Sequence, residues 1–123
     1  KDIKIDGVSS FEKQNLIRRL ETYKIKNYEK YLKQEKIKSH LLTKVIIDLD
    51  FDPTKIHLLQ IDAEGYDDQV IYNSEIQKNH FRFINYEFKN LSEERITNLH
   101  DYLHKSGYEV LRWNKSDEIA IKQ

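Results

Sequence analysis

The segment Ile56–Gly65 constrains the fold of this chain more than any other stretch. Four of the six residues before Asp62 are apolar, which is typical of a strand buried in a sheet. The run ends at two carboxylates, Asp62 and Glu64, and then at Gly65, where the backbone can turn at little steric cost. Ligands of open α/β sheets bind beyond the carboxyl ends of the strands. The pattern therefore predicts either a ligand site here or a solvated strand end that leads into a helix.

From Ile56 onward, the spacing of apolar and turn-forming residues predicts alternating strands and helices. The predicted strands are residues 56–62, 81–88, 108–113 and 118–122, and the predicted helices are residues 67–78 and 93–105. Ser92 is expected to cap the second helix and Gly107 to end it. The last two strands should form a hairpin, because only polar residues separate them. The expected fold class is α/β.

Residues 1–44 are predicted to form a basic, partly helical excursion that precedes an α/β unit of residues 45–123. Residues 11–38 hold nine Lys or Arg against four Glu, and Ser10 could cap a helix there. A basic stretch with tyrosines could contact nucleic acid. However, lysine-rich helices are commonly solvated and the formal net charge of the chain is +0. We therefore expect no nucleic-acid partner.

Three segments follow one another in an order that resembles a known enzyme family. Leu58–Asp67, Phe83–Phe88 and Ser106–Val110 are similar to the fourth strand, the fifth strand and a late Gly-Tyr-x-Val turn of FkbM-family S-adenosylmethionine-dependent methyltransferases. Gly7–Phe11 is a weaker match to a Ser-Ser segment of that family. The good match covers residues 45–123. It implies a partial Rossmann-like methyltransferase sheet with strands ordered 4-5-7-6, the last-numbered strand antiparallel to its neighbours.

The resemblance implies methyl transfer to a hydroxyl of a sugar or natural product, a small-molecule acceptor. Asp62 would then be the base or an acceptor-orienting residue, Glu64 its neighbour, and Glu87 a third acid across the site. Close carboxylates raise one another's pKa toward the range useful for a base. The same acids could instead hold a divalent cation, although no dedicated metal site is predicted. The remaining expected contacts are cofactor binding by Ser9 and Ser10 and substrate binding by Tyr66 and Tyr86.

The cofactor half of such an enzyme has no counterpart in this sequence. Glycine occurs only at positions 7, 65 and 107, so the chain contains no Gly-x-Gly turn. Backbone must approach S-adenosylmethionine closely at that turn. We expect the chain to be the C-terminal half of a longer enzyme and to bind the cofactor weakly or not at all by itself. The alternative is a non-catalytic module with an interaction or structural role.

Two competing metal motifs are weaker. Val45–Asp50 resembles the strand and Asp-x-Asp nucleophile of haloacid-dehalogenase-like phosphatases, which use magnesium. Phe51 and Asp52 stand where that family has Gly and Thr, so the interpretation favoured here is a strand that ends at the acids. His100 and His104 are spaced for zinc, but the sequence offers no obvious third ligand and a solvated helix face is favoured.

Composition limits the location and the partners of the chain. It has no cysteine, and no apolar run approaches the roughly 20 residues of a membrane span. We expect a cytoplasmic protein with no membrane partner.

Removing the first strands of a methyltransferase sheet would expose the edge of the 56–62 strand, and unpaired edges promote association. Either residues 45–47 cover this edge as a substitute strand, or two chains pair there as a homodimer.

Overall fold

The computed structural model describes residues 9–123 as one mixed α/β arrangement. Its elements are, in chain order, α1 (Lys13–Thr22), α2 (Leu42–Asp48), β1 (Leu58–Gln60), α3 (Asp67–Asn73), β2 (Phe83–Glu87), α4 (Glu93–Lys105), β3 (Tyr108–Arg112) and β4 (Asp117–Lys122). Short 3-10 turns at Tyr28–Lys30 and Pro53–Lys55 interrupt the connections on either side of α2.

The four strands form one sheet in the order β1-β2-β4-β3. β1 and β2 are parallel, and β4 runs antiparallel to both β2 and β3. This arrangement confirms the predicted strand order and the reversed last strand. The hairpin between β3 and β4 is held by Asn114, whose Oδ1 accepts the backbone N–H groups of Ser116 and Asp117 at 2.7 and 2.9 Å.

Helices α3 and α4 pack against one face of the sheet, and the core lies between these helices and the sheet. On β2 the buried side chains alternate with partly exposed ones, so Ile84 and Tyr86 point to the helices. Leu99 and Leu103, four residues apart on α4, are fully buried there. α4 begins as predicted, with the Ser92 hydroxyl accepting the N–H of Arg95 at 3.3 Å.

The opposite face of the sheet carries a row of apolar side chains that is partly open to solvent in the described part of the chain. The register places Leu58, Phe83 and Ile121 side by side on this face. Leu58 is 55% exposed and Leu111 on β3 is 45% exposed, while Trp113, just after β3, is 71% exposed. None of these side chains belongs to the hydrophobic core.

The segment before β1 differs from its prediction. Residues 45–47 were expected to form a strand, but they lie in α2, so they do not pair with β1. Leu42 and Ile46 are one helical turn apart and pack on the core, whereas Ile47 is 62% exposed. The helix buries its Leu42 and Ile46 side on the core. A strand at this point would also need a paired strand to satisfy its backbone hydrogen bonds. Asp48 lies in α2, where its carboxylate pairs with Lys44. The strand required by the phosphatase motif is therefore absent here.

Several predicted boundaries were too wide. α3 ends at Asn73 rather than at residue 78, β1 contains three residues, and α1 covers only part of the basic stretch. Glu12, not Ser10, is the residue at the N-cap of α1. The Ser10 hydroxyl still accepts the N–H of Glu12 at 3.1 Å, so it supports the entry to the helix one step earlier.

Candidate functional site at the carboxyl edge of the sheet

The loop after β1 is bent sharply by two consecutive residues with positive φ. Glu64 has φ 49° and Gly65 has φ 94°, a region that non-glycine residues adopt at a cost of about 1–3 kcal/mol. The buried carboxylate of Asp67 holds this turn by accepting the backbone N–H groups of Ala63 and Gly65 at 3.5 and 3.3 Å. It also accepts the N–H of Glu87 at 3.1 Å, which ties the loop to the end of β2.

Burial raises the pKa of Asp67, and the backbone N–H groups of Glu87, Ala63 and Gly65 oppose that rise. The side chain is fully buried. We conclude that Asp67 positions the site and does not itself meet a ligand.

Helix α1 lies directly on this loop. The Ser10 hydroxyl and the Asn15 amide both donate to the carbonyl oxygen of Glu64, at 2.9 and 3.2 Å. Arg19 adds an ion pair of 2.7 Å to the Glu64 carboxylate. A Cβ at Gly65 would come within 2.1 Å of the Asn15 amide nitrogen, so the Asn15 side chain would have to move, and the φ of 94° itself favours glycine.

Arg95, on α4, connects four parts of the chain at the edge of the site. Its guanidinium donates to both carboxylate oxygens of Asp68 and, at 3.0 Å, to the carbonyl oxygen of Gly65. A further bond of 2.9 Å reaches the carboxylate of Glu12, which precedes α1. Two parallel bonds to one carboxylate fix the orientation of an arginine. Arg95 therefore helps to hold α1 against the loop.

A pocket of about 330 Å³ opens between α1 and the ends of β1 and β2. Four predicted site residues line it together: Ser9, Ser10, Glu64 and Glu87. The other lining residues were missed from the sequence, and they are Asn15, Leu16, Arg18, Arg19, Thr22, Tyr23, Lys89 and Asn90. The signal for those on α1 is their spacing of three or four residues, which places them along one side of a helix.

Three predicted site residues do not line this pocket. Asp62 is exposed beside it. The Tyr66 ring packs against Phe11, with their centroids 5.3 Å apart. Tyr86 is fully buried on the helix side of the sheet, where its hydroxyl donates to Glu118 at 2.9 Å. The structure thus separates Tyr86 from Tyr66, and the predicted pair does not flank one pocket.

Glu87 has the environment most suited to accepting a proton. Burial raises the pKa of its carboxyl group, and the nearby carboxylates of Glu64, Asp67 and Asp62 raise it further. A hydrogen bond of 2.5 Å from the Asn90 amide acts in the opposite direction but is weaker. Glu64, by contrast, is occupied by Arg19. Glu87 is therefore the carboxylate available to a ligand in this pocket.

A second polar cluster lies on the helix side of the sheet, around the buried carboxylate of Glu118. Its oxygens accept from Tyr86 and lie 2.7 Å from His100 Nε2 and 3.0 Å from Arg112 Nη2. Burial alone would raise the pKa of Glu118, but the bonds from His100, Tyr86 and Arg112 together lower it. His100 was expected on a solvated helix face and is instead half-buried against Glu118.

Further observations concern metals, membranes and similar proteins. Among residues 9–123, no group of three or more His, Asp or Glu side chains could hold a metal ion. Within the same range, no helix has the length and apolar composition needed to cross a bilayer. Comparison with known protein families, curated proteins and solved structures found nothing that matches this chain.

Proposed function

We propose that this chain forms the acceptor-binding half of an S-adenosylmethionine-dependent O-methyltransferase that acts on a hydroxyl group of a sugar or natural product. The observation that carries the proposal is the sheet order β1-β2-β4-β3, with parallel β1 and β2 and a reversed β4. This order is the one that the resemblance to the FkbM family implies. The acidic residues implied by that resemblance also follow the carboxyl ends of β1 and β2, where ligands of such sheets bind.

The described residues do not fit the cofactor. Gly65 lies in a tight turn that packs against α1, and Gly107 ends α4, so neither offers a cradle of backbone for S-adenosylmethionine. The pocket also presents Arg18, Arg19 and Lys89, whose charges would repel a sulfonium. We therefore assign only the acceptor side of the reaction to this chain. The cofactor-binding residues would have to be supplied from outside it.

On the acceptor side, the chain can orient a hydroxyl group and remove its proton. Glu87 is placed to accept that proton, because its raised pKa makes it a stronger base than an ordinary carboxylate. Asn90 holds the Glu87 side chain, and Arg19 holds Glu64 beside it. Asp62, exposed beyond the pocket, would meet only a ligand that extends over the end of β1.

The test is methyl transfer by the longest reading frame that contains this chain. Radiolabelled S-adenosylmethionine is supplied with a panel of sugars and hydroxylated natural products, and labelled product is measured. E87Q should lower turnover by about 100-fold or more, the usual contribution of a general base. E109Q, on the exposed side of β3, is the control and should leave turnover unchanged. Equal turnover by wild type and E87Q would remove Glu87 from the reaction, and no labelled product with any acceptor would refute the proposal.

Cofactor binding gives an independent prediction for residues 1–123 alone. Calorimetric titration with S-adenosylmethionine should show no saturable binding in the micromolar range, because the chain has no glycine-rich turn. Low-micromolar affinity would mean that this chain holds the cofactor in a way unlike the proposed family.

A non-catalytic interaction module is the second candidate, and the open sheet face favours it. Leu58, Leu111 and Trp113 are exposed there, and large apolar patches mark interaction sites. Pairing of two such faces would give a homodimer. Sedimentation of wild type and L111K across a concentration series tests this candidate. Association that L111K abolishes supports it, whereas a monomer at every concentration rules out self-pairing through this face.

A further inference from the structure

The pocket at the carboxyl edge contains cationic side chains that its own carboxylates do not neutralise. Arg19 is paired with Glu64 at 2.7 Å. Arg18 on α1 and Lys89 after β2 also line the pocket, and neither forms an ion pair with any residue in the range 9–123. Glu87, the remaining acid, is bonded to the neutral amide of Asn90 and has a raised pKa. The pocket is therefore net positive.

Arg18 and Lys89 come from different walls, one from the helix and one from the segment that follows β2. A single anionic group between them could be met from two sides. The carboxylates of Glu64 and Glu87 are also in the lining and would repel a second anionic group. The charge pattern thus suits a ligand with one anion, and it disfavours a polyphosphate.

The rest of the lining suits hydroxyl groups. The amide nitrogens of Asn15 and Asn90 and the hydroxyl of Thr22 already donate within the protein, so these residues offer oxygen acceptors to a hydroxyl group. The half-exposed ring of Tyr23 offers an apolar surface. The volume of about 330 Å³ is near the lower end of the roughly 300–1,000 Å³ found for small-molecule pockets. Such a pocket has room for one sugar-sized unit and not for a large macrocycle.

We infer that the pocket binds a monosaccharide-sized polyhydroxylated ligand with one anionic group, either a carboxylate or a phosphate monoester. Arg18 and Lys89 bind the anion, and Glu87 faces a hydroxyl group. This inference rests on the proposed function only for the identity of that hydroxyl as the methyl acceptor. Binding of the ligand requires neither the cofactor nor the reaction.

Calorimetric titration of residues 1–123 at low salt tests the inference with four probes: glucuronate, glucose 6-phosphate, glucose and inorganic phosphate. We expect at least one of the two anionic sugars to bind about 10-fold more tightly than both glucose and inorganic phosphate. Binding of one anionic sugar alone supports the inference and identifies the anion as carboxylate or phosphate. Equal binding of glucose would overturn it, and inorganic phosphate binding as tightly as the sugars would indicate an adventitious ion only.

The variants R18Q and K89Q should each weaken binding of the preferred anionic sugar about 5- to 10-fold and leave glucose binding unchanged. Both side chains are exposed, so the fold should persist, and thermal unfolding verifies this. K105Q, an exposed lysine at the end of α4, is the matched control and should bind as wild type. Unchanged affinity in both R18Q and K89Q would overturn the assignment of the anion to these residues.

The sugar-binding experiment and the methyl-transfer experiment can fail independently. Anionic sugar binding without any methylated product leaves the pocket assignment intact and refutes the methyltransferase proposal. Methyl transfer to neutral acceptors alone, with no anionic sugar bound, does the reverse.

Discussion

Glu87 and Glu118 are two carboxylates near the same end of the sheet, on adjacent strands, with opposite pKa shifts. Glu118 is nearly inaccessible to solvent, yet its pKa is lowered. Glu87 is less buried, yet its pKa is raised. Burial raises the pKa of both, so the partners decide the difference. Glu118 has an arginine, an imidazole and a hydroxyl as partners, whereas Glu87 has one amide and three neighbouring acids.

The comparison distinguishes a structural carboxylate from one suited to function. A buried acid whose charge is stabilised by hydrogen-bonded partners links the surrounding helices and strands, and it has little tendency to accept a proton. An acid that is crowded by other acids holds its charge at a cost and accepts a proton more readily. Only Glu87 also faces a pocket.

The largest expected effect is the loss of stability in E118Q. Removing this charge leaves His100 and Arg112 without their partner, and breaking a buried ion pair costs about 3–5 kcal/mol. Because Arg112 is 62% exposed, we expect the lower end, about 3 kcal/mol, by denaturant unfolding at pH 7. The advantage of wild type should shrink as the pH falls below the ordinary glutamate pKa of about 4.3, because the folded pKa is lowered. Equal stability at pH 7 would mean that Glu118 is not structurally important.

G65A should have the next largest effect. Alanine at a φ of 94° is strained, and its Cβ would displace the Asn15 amide. We expect a loss of about 2 kcal/mol by thermal unfolding. The double variant N15A/G65A separates the two causes, since it removes the clash with Asn15 and retains the backbone strain and the contact with Asn90 Cβ at 3.1 Å. A double variant as stable as N15A alone would show that the clash, not the backbone conformation, requires glycine.

E87Q should have a smaller effect of opposite sign. The folded pKa of Glu87 is raised, so its stabilising contribution is complete below the unfolded pKa and is lost as the pH rises through the folded pKa. E87Q should therefore equal wild type near pH 4 and exceed it at pH 7 by less than about 1 kcal/mol. E109Q is the control. A loss of stability in E87Q at pH 7 would contradict the contrast between the two carboxylates.

R19Q should have the smallest effect on stability, about 0.5 kcal/mol or less, since both members of the pair are partly exposed. The more informative measurement on R19Q is the pKa of Glu87. Without Arg19, the charge of Glu64 acts on Glu87 without compensation, so the Glu87 pKa should rise further. A carboxyl-carbon NMR titration of wild type and R19Q measures this shift directly, and an unchanged or lower Glu87 pKa would show that Arg19 does not offset the effect of Glu64 on Glu87.

The sequence predicted the elements whose signals are local. α4 has a Ser92 cap, an apolar stripe and a stop at Gly107, and its bounds were predicted correctly. The hairpin after β3 likewise depends on Asn114 within the turn. By contrast, residues 45–47 carry β-branched side chains that favour a strand, and packing of Ile46 on the core overrides that preference.

Four predicted site residues line the pocket, and two of them follow strands while Ser9 and Ser10 precede α1. Glu64 and Glu87 come from the expected strand ends and line one pocket. Arg19 shares the three- and four-residue spacing along α1, but a basic helix is usually solvated, so this spacing alone does not indicate a site. Lys89 follows β2 and has no comparable signal. Their role depends on how α1 packs against a loop about 45 residues away in sequence, a contact that no spacing rule gives.

Arg95 has a consequence for the order in which the chain folds. Its bond to Glu12 joins residues 83 positions apart, and the bond from Ser10 to the loop spans 54 positions. α4, β3 and β4 contact one another within about 30 residues of chain. Closing long loops costs more entropy and contributes later to folding than closing short ones. We therefore expect α1 to dock last and detach first, so that the pocket exists only while α1 stays docked on the loop after β1 and on α4.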